Sequence, residues 1–462
     1  MACTTDHGDD RGDDGTDTGD APDAGRTKPD AAADASLDAA APQLDAGGPD
    51  AATTDAGGDA LTFAAPLRSS AARIATPSTA NVTALGAGNR TLAFELYAQI
   101  AKRSPNQNVL LSPYSISTAL SMLYAGAAGT TESEMKQTLH FELGAPALFE
   151  AFNATSLALT ARGMGQVGAD GTPFRLNVDN SLWTQRDYPI EAAYLDTLAK
   201  HYGAGVQQQD FRVAPEPARK TINEWVSQRT EKLIPELLPQ GSITKDTRVV
   251  LTNTVYFNAS WLTKFKPEST ADGPFTKLDG SKVTAALMHG KLRAPYAEGS
   301  NYKAVALPYA STELSFVAIL PNEGAFPSVE AGLNAVFFDA LVTKLASQEV
   351  QVTFPKLDYK VKSELNAPLI ELGMKAAFSD GADFSGITKD RVAVDGVLHE
   401  AVIKVIEGGT IAAAATGITV GTTSIPAEPK TIALDRPFLL AIHDAPTGSL
   451  LFVGRVLDPT AK

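Results

Sequence analysis

Apolar residues recur with helical spacing in some segments of the chain and form short runs rich in β-branched and aromatic residues in others. In residues 91–102 the apolar side chains fall three or four positions apart, which predicts a helix. Further helices are predicted at 115–124, 192–202, 218–232 and 363–372. Strands are predicted at 109–111, 249–258, 303–307, 314–320, 350–354, 402–406 and 450–456. Helices and strands occur in blocks without strict alternation, and this order predicts an α+β fold.

The first part of the chain lacks this periodicity and carries most of the charge. The 462 residues have a formal net charge of -14, and residues 1–60 contain fifteen Asp against three basic residues. Such a segment has too few apolar side chains to offset its conformational entropy, and repulsion between carboxylates favours an extended chain. We therefore expect residues 1–80 to form a disordered tether and residues 81–462 to form the folded domain.

The composition of the rest excludes several classes of function. Residues 61–462 are nearly neutral, and no basic stripe indicates a nucleic-acid partner. A run of about eighteen apolar residues is absent, so no membrane-spanning helix is expected. The six histidines show no metal-ligand spacing, and we expect neither a metal site nor a cofactor. The single cysteine, Cys3, excludes a fold stabilised by intrachain disulfides.

Cys3 also bears on where the protein is located. The first five residues are similar to the region after the cleavage site of a bacterial lipoprotein, where a cysteine behind small residues is lipidated. The apolar segment that would precede such a cysteine is absent from the chain, so an incidental surface thiol is the alternative. We expect an extracellular or cell-envelope protein whose only contact with a membrane would be a lipid on Cys3.

Two motifs are similar to catalytic signatures but lack their context. Residues 163–168 satisfy the GxGxxG pattern, yet a helical run precedes them, whereas a dinucleotide site requires a strand there. We therefore interpret them as a flexible loop. His399 and Glu400 begin like the HExxH zinc motif, but the fifth position is Ile403. A GxSxG elbow and a Walker loop are absent, so nothing favours a hydrolase.

Residues 407–430 have an unusual composition for a segment between two predicted strands. Glycines at 408 and 409 open it, small residues follow, and prolines at 426 and 429 end it. With a period of two, Thr410 and every second residue to Val420 share one face, and Ile411 begins the other. The first face is small near the glycines and more apolar later. This pattern predicts an exposed loop that could become a buried strand in another state.

From about Asn89 to the C-terminus the chain resembles the serpins, a family of protease inhibitors. The resemblance rests on short motifs that are weak alone and specific in this order. They lie at 108–116, 126–131, 180–183, 222–226, 251–257, 307–309, 354–356, 383–387, 398–401 and 452–456. The resemblance implies the serpin fold, with a large central mixed sheet, additional sheets, surrounding helices and an exposed reactive-centre loop at about 407–430.

The resemblance also implies irreversible suicide inhibition of serine proteases and no enzymatic activity. In serpins the protease forms an acyl-enzyme with the loop, and the freed hinge then inserts into the central sheet. Ile411 departs from the family pattern, which usually has Glu there, at a position expected to face outward. The hinge residues that match the inhibitory pattern are Glu407, Gly409, Thr410, Ala412, Ala413, Ala414 and Ala415.

The family's spacing from the hinge places the cleaved bond between Thr423 and Ser424. A register error of one residue would move it to Thr422-Thr423. A small residue before the bond suits a shallow specificity pocket, so we expect elastase-like or subtilisin-like serine proteases as partners and favour a cysteine protease less. The alternative is a non-inhibitory serpin that acts as a binding or carrier protein. We expect a monomer.

Five further residues receive a role from the resemblance. Serpins open their central sheet when the loop inserts, and the residues implied in gating this step are Ser112, Ser115, Asn253, Trp261 and His399. The alternative for these residues is an ordinary hydrogen-bonded core, and the sequence by itself leaves both interpretations open.

Overall fold

Nine α-helices form within the part of the chain that the computed structural model describes, residues 63–169, 171, 173–410 and 428–461. They are α1 (Val82–Arg103), α2 (Pro113–Tyr124), α3 (Gly129–Thr138), α4 (Ala147–Ala161), α5 (Ala192–Tyr202), α6 (Pro215–Arg229), α7 (Phe326–Ala331), α8 (Ala335–Lys344) and α9 (Asn366–Leu372). Among the described helices, none has the length and apolarity needed to span a bilayer.

Fifteen strands lie in the same ranges. The first eight are β1 (Val109–Leu111), β2 (Arg175–Gln185), β3 (Val206–Gln209), β4 (Val249–Ser260), β5 (Thr270–Thr276), β6 (Lys282–Glu298), β7 (Tyr302–Pro308) and β8 (Leu314–Pro321). The others are β9 (Ala346–Pro355), β10 (Leu357–Glu364), β11 (Gly396–Ile406), β12 (Gly409–Thr410), β13 (Lys430–Ala433), β14 (Phe438–Asp444) and β15 (Ser449–Val456). Helices and strands together confirm the predicted α+β class.

The larger sheet has nine strands, in the order β1-β15-β14-β8-β7-β6-β9-β13, with β5 paired to β6. Its neighbours are antiparallel except β13 and β9, which are parallel. Strands β14 and β15 are buried along their whole length. Burial on both faces explains why residues 438–442 and 450–453 are continuous apolar runs without alternation.

The smaller sheet has six strands, in the order β10-β11-β12-β4-β2-β3. Strands β11 and β4 are parallel to each other, as are β2 and β3, while β10–β11 and β2–β4 are antiparallel. This is the mixed central sheet that the resemblance implied. Helix α6 packs on one face of it, where Trp183 and Trp225 meet edge to face with ring centroids 5.7 Å apart.

The opposite face of the six-stranded sheet packs against the nine-stranded sheet. Phe257 of β4 and Val405 of β11 share one apolar cluster with Phe316 of β8 and Phe354 of β9. All four side chains are at most 3% exposed. This interior is where β12 lies, so any side chain that β12 turns inward is removed from water.

Helix boundaries differ from the predicted ones where tertiary contacts decide them. Helix α1 begins at Val82, before the predicted start at residue 91. In its first turns Gly86 and Gly88 pack against backbone, where a Cβ would lie 2.3 Å and 2.4 Å from carbonyl oxygens. Such close contacts carry no apolar signal. Helix α6 ends at Arg229, earlier than predicted, because Glu231 and Lys232 adopt positive φ angles of 51° and 62° that no α-helix accommodates.

Residues 63–80 pack on the domain, so the expectation that the tether extends to residue 80 is wrong for them. Leu67 forms a backbone bridge to Val206 of β3, and Arg73 donates a hydrogen bond to Asn153 of α4. Single backbone pairings of this kind leave no periodic pattern, so the composition gave no sign of them. The ordered chain therefore includes these residues, and residues 1–62 of the expected tether lie outside the described residues.

Candidate functional site

The two residues of β12 form a third strand at one end of the β11–β4 pair. β12 is antiparallel to both neighbours. Its register partners are Ile406 and Ser260 for Gly409, and Val405 and Ala259 for Thr410. Further along, residues 396–401 of β11 pair directly with residues 250–255 of β4. The two strands are therefore joined to each other at one end and separated by β12 at the other.

Gly409 lets β12 approach β4 closely. Its φ of 149° lies in a region that glycine alone adopts readily. A Cβ at this position would lie 2.1 Å from the carbonyl oxygen of Ala259. Both observations require glycine at 409, as the hinge pattern implied.

Thr410 turns its side chain into the space between the two sheets. It is 2% exposed, and its hydroxyl lies 2.8 Å from the hydroxyl of Tyr309. The Tyr309 ring stacks on Trp261, with centroids 4.6 Å apart and planes at 14°. Trp261 in turn donates its indole N–H to the carbonyl of Ile406, at 3.1 Å. Thr410 is thus fixed to a pair of stacked rings bonded to the end of β11.

Glu407, just before β12, is bound by three groups from outside the hinge. Lys356 Nζ lies 3.0 Å from its carboxylate, Thr270 donates its hydroxyl at 2.8 Å, and Phe265 N–H donates to its carbonyl at 3.0 Å. Burial alone would raise the pKa of the Glu407 carboxyl, but hydrogen bonds from its own amide, Lys356 and Thr270 lower that pKa below its ordinary value. The hinge therefore begins at an ionised, anchored carboxylate.

A second cluster crosses the same two strands where they pair directly. His399 of β11 and Asn253 of β4 are opposite each other, and His399 Nδ1 lies 2.6 Å from Asn253 Oδ1. The Asn253 amide donates to Ser115 of α2 and to Asn180 of β2. The backbone N–H of Ser112 donates to His399 Nε2 at 3.0 Å. Four segments of the chain meet in this one hydrogen-bond network.

The network keeps His399 neutral. Because Ser112 N–H donates to Nε2, that nitrogen carries no proton, and Nδ1–H donates to Asn253. Burial lowers the pKa of His399 to about 3. A neutral imidazole with both nitrogens bonded removes the cost of an unpaired polar group in the interior.

The predicted gating residues separate into two groups. Ser115, Asn253 and His399 form the buried network, and Ser112 joins it through its backbone. Trp261 lies at the other end of the β11–β4 pair, beside β12. The other predicted site residues lie outside the described residues; they are Cys3, Ala412, Ala413, Ala414, Ala415, Thr423 and Ser424.

Sequence reasoning missed four residues of these two sites. Asn180 completes the buried network, Tyr309 meets Thr410, and Thr270 and Lys356 bind Glu407. Asn180, Tyr309 and Lys356 lie within the motifs that carried the family resemblance. The sequence therefore marked these three residues as part of the family pattern but did not indicate what they bind. Thr270 had no signal, because its contact depends on how β5 lies beside the hinge.

The two rejected catalytic motifs do not build a site. Residues 163–168 follow α4 and precede β2, and Ser260 donates its hydroxyl to the Gly168 carbonyl at 3.0 Å. They therefore lie in a loop after a helix. Among the described residues, no three His, Cys, Asp or Glu side chains come together in a way that could bind a metal.

Comparison with known proteins agrees with this geometry. The family described as "Serpin (serine protease inhibitor)" matches residues 87–459. A serpin-like protein of Thermococcus kodakarensis is 36% identical, over 80% of this chain and 84% of its own. Leukocyte elastase inhibitor of Bos taurus is 33% identical, over 81% of this chain and 99% of its own. The crystal structure of human thyroxine-binding globulin in complex with thyroxine superposes with a TM-score of 0.73, at 28% identity, over 82% of this chain and 100% of that one.

The neutral His399 predicts how stability depends on pH. Between its folded pKa of about 3 and the ordinary 6.5, the unfolded chain binds a proton that the folded chain does not. Stability is therefore full above about pH 6.5 and falls on acidification, by at most about 1.4 kcal/mol per pH unit for one group. In His399→Gln, the midpoint of urea unfolding should therefore change less with pH between about pH 6.5 and pH 4 than in the unmodified protein.

Two histidines serve as references in that experiment. His443, whose pKa burial lowers to about 4, contributes to the slope in both proteins. His289→Gln, at an exposed position, controls for the loss of an imidazole. An unchanged slope in His399→Gln would show that His399 does not titrate in this way.

The hydroxyl pair at the hinge predicts an energetic coupling. Tyr309→Phe and Thr410→Val each leave a buried hydroxyl without its partner, which should lower the free energy of unfolding by about 1–3 kcal/mol. The double variant should lose about 1 kcal/mol less free energy of unfolding than the two single variants lose together, as measured by urea or thermal unfolding. Thr343→Val, exposed on α8, is the control. Strictly additive costs would contradict the pairing.

Proposed function

The chain belongs to the serpin family, whose members are generally protease inhibitors rather than catalysts, and we propose that it inhibits serine proteases irreversibly. The protease would form an acyl-enzyme at Thr423, and the loop would then insert between β11 and β4. The observation that carries this proposal is that β12 is already paired with both strands. Insertion then means extending an existing strand, which avoids the cost of starting a new one.

The register of β12 specifies where later hinge residues would go. Continued from Gly409 and Thr410, it brings Ala412 and Ala414 to positions whose neighbours belong to the buried cluster between the sheets. Little space exists there, so small side chains favour fast insertion. The residues that would flank the two alanines are Phe257, Ile403, Val255 and Ala401, all at most 3% exposed.

The same register brings Thr416 between Asn253 and His399. Their side-chain hydrogen bond spans the two strands that must separate. A threonine hydroxyl both donates and accepts, so it can bond to the groups that the separation releases. The network would thus act as a latch on the uninserted sheet, and Thr416 would satisfy its polar groups after insertion.

The energetics favour insertion once the loop is cut. Each inserted residue can gain ladder hydrogen bonds worth about 0.5–1.5 kcal/mol net. About fifteen residues at about 3.3 Å each span about 50 Å, enough to displace a bound protease along the domain. Insertion would break the one ladder of six direct β11–β4 register pairs and form two ladders, one from the new strand to β11 and one to β4. The sheet would therefore gain one ladder overall.

The target class follows from the residue before the cleaved bond. Thr423 is small, and a small residue suits a shallow pocket, so we propose elastase-like or subtilisin-like serine proteases. The similarity to leukocyte elastase inhibitor supports this choice. A secreted or cell-envelope location, with Cys3 as the site of a lipid anchor, is consistent with such a target.

A binding or carrier function is the second candidate. It is favoured by the structural similarity to human thyroxine-binding globulin, whose crystal structure is a complex with thyroxine. Against it stands the hinge, where Gly409, Thr410 and the following alanines are uncharged and small. Incubation with pancreatic elastase and with subtilisin separates the two on a denaturing gel. An inhibitor yields an SDS-stable covalent band, and a carrier yields only the cleaved chain.

The inserted face predicts the effect of a charge at the hinge. Because Thr410 already lies in the interior between the sheets, Thr410→Arg would bury a guanidinium there at a cost of several kcal/mol and expel β12 from between β11 and β4. Insertion would then lose the strand from which it extends, so the covalent band should disappear while loop cleavage persists. Ile411→Arg, one residue along on the outward face, is the matched control and should retain the band. An undiminished band in Thr410→Arg would refute insertion.

The assigned bond predicts a change of specificity. Thr423→Arg supplies the side chain that trypsin requires, so the variant should form an SDS-stable band with trypsin and lose most of its band with elastase. Thr422→Arg tests the alternative register with the same readout. Elastase inhibition that survives unchanged in Thr423→Arg would show that the bond lies elsewhere.

A further inference from the structure

Residues 63–80, here called the strap, cross the surface formed by α4, α5 and the edge of the six-stranded sheet. Strand β3 ends that sheet, and Leu67 of the strap pairs with it through two backbone hydrogen bonds. Leu67 N–H donates to the Val206 carbonyl at 2.8 Å, and Val206 N–H donates to the Leu67 carbonyl at 2.9 Å. The strap thus caps an edge that would otherwise expose unpaired backbone groups.

A second set of bonds joins the strap to both helices. The Ile74 N–H donates to the carbonyl of Lys200 on α5 at 2.9 Å, and the Ile74 carbonyl accepts from Asn153 of α4 at 2.8 Å. Arg73 Nε donates to the same Asn153 side chain at 2.8 Å. Asn153 is fully buried, and the strap supplies a donor to its side-chain oxygen and an acceptor for its side-chain N–H. Ser69 also donates to Asp196 of α5.

Gly205, just before β3, lacks the side chain that would collide with the strap. It does not adopt a left-handed φ, so its own backbone does not require glycine. A Cβ there would lie 2.4 Å from the carbonyl oxygen of Leu67 and 2.5 Å from Cγ of Arg68. The nearest atoms all belong to the strap. A methyl group at 205 would therefore displace the strap and leave the rest of the domain in place.

The strap connects parts that must move relative to each other when the sheet widens. Admitting a strand between β11 and β4 adds about 4.8 Å to the width of the sheet, so β4, β2 and β3 must shift away from β11. Helix α4 packs against α1, which contacts β15 of the nine-stranded sheet. The strap bonds the moving edge, β3, to α4.

We propose that the strap resists widening of the six-stranded sheet and so sets the rate at which the loop inserts. This inference rests on the proposed insertion mechanism. Loss of the strap bonds lowers the barrier to separating β11 from β4, because the edge strand is then free to shift. The segment N-terminal to the strap thereby gains a means of influencing inhibition without contact with the loop.

The test uses the full-length, uncut protein and a synthetic peptide with the sequence of residues 410–421. The peptide, labelled with a fluorophore, competes for the place of the inserted strand, and its incorporation is followed on a native gel. Gly205→Ala should incorporate it about fivefold faster than the unmodified protein, the factor expected for loss of one or two hydrogen bonds. Hydrogen exchange at the Val206 amide verifies that the strap has left the edge.

Gly144→Ala is the matched control, because a Cβ at Gly144 meets no atom within 4 Å and its φ is not left-handed. It should incorporate the peptide at the unmodified rate. Arg73→Met, which removes the bond to Asn153 from the strap side, is the second variant and should accelerate incorporation in the same direction. Equal rates in all four proteins, with Val206 exposed in Gly205→Ala, would overturn the strap proposal alone. Peptide that enters none of them would overturn the insertion mechanism, and the strap proposal with it.

Discussion

A buried hydrogen bond between His399 and Asn253 joins the two strands that a third strand would have to separate. It lies in the interior, where an unpaired imidazole or amide costs about 1–3 kcal/mol. Because Ser112 N–H, Ser115 and Asn180 bind the remaining polar atoms of the pair, both nitrogens of His399 and the amide of Asn253 have partners in the closed arrangement. Separation of the strands is therefore costly until an incoming residue can replace these bonds.

The other end of the same strand pair is arranged in the opposite way. There β11 and β4 are already apart, and Gly409 and Thr410 fill the gap. The carboxylate of Glu407 is anchored to Lys356, and the Thr410 hydroxyl is anchored to Tyr309. The hinge is therefore fixed at the point from which insertion would extend. The proposed insertion would therefore start from a sheet that is open at one end and joined by the His399–Asn253 hydrogen bond further along.

Small side chains and glycine have different functions in this arrangement. Gly409 is required by the structure itself, since no other residue could approach Ala259 so closely. The alanines that follow are required only if the proposed insertion occurs, because an isolated loop would tolerate larger residues. Gly205, at the β3 edge of the six-stranded sheet, is likewise required by the structure, because a Cβ there would collide with the strap. At both glycines, backbone from a distant part of the chain approaches closely: Ala259 at Gly409 and Leu67 at Gly205.

The sequence by itself determined the α+β class, seven of the fifteen described strands, and the motifs that identify the family, because these depend on local periodicity and on residues in a fixed order. It also selected Glu407, Gly409, Thr410, Asn253 and His399. Only the tertiary structure decided that Ser112 acts through its backbone and that residues 63–80 join the domain. It also decided the partners of the hinge: Thr270, Tyr309 and Lys356. These contacts join residues far apart in the chain, and strand register, which no local pattern encodes, brings them together.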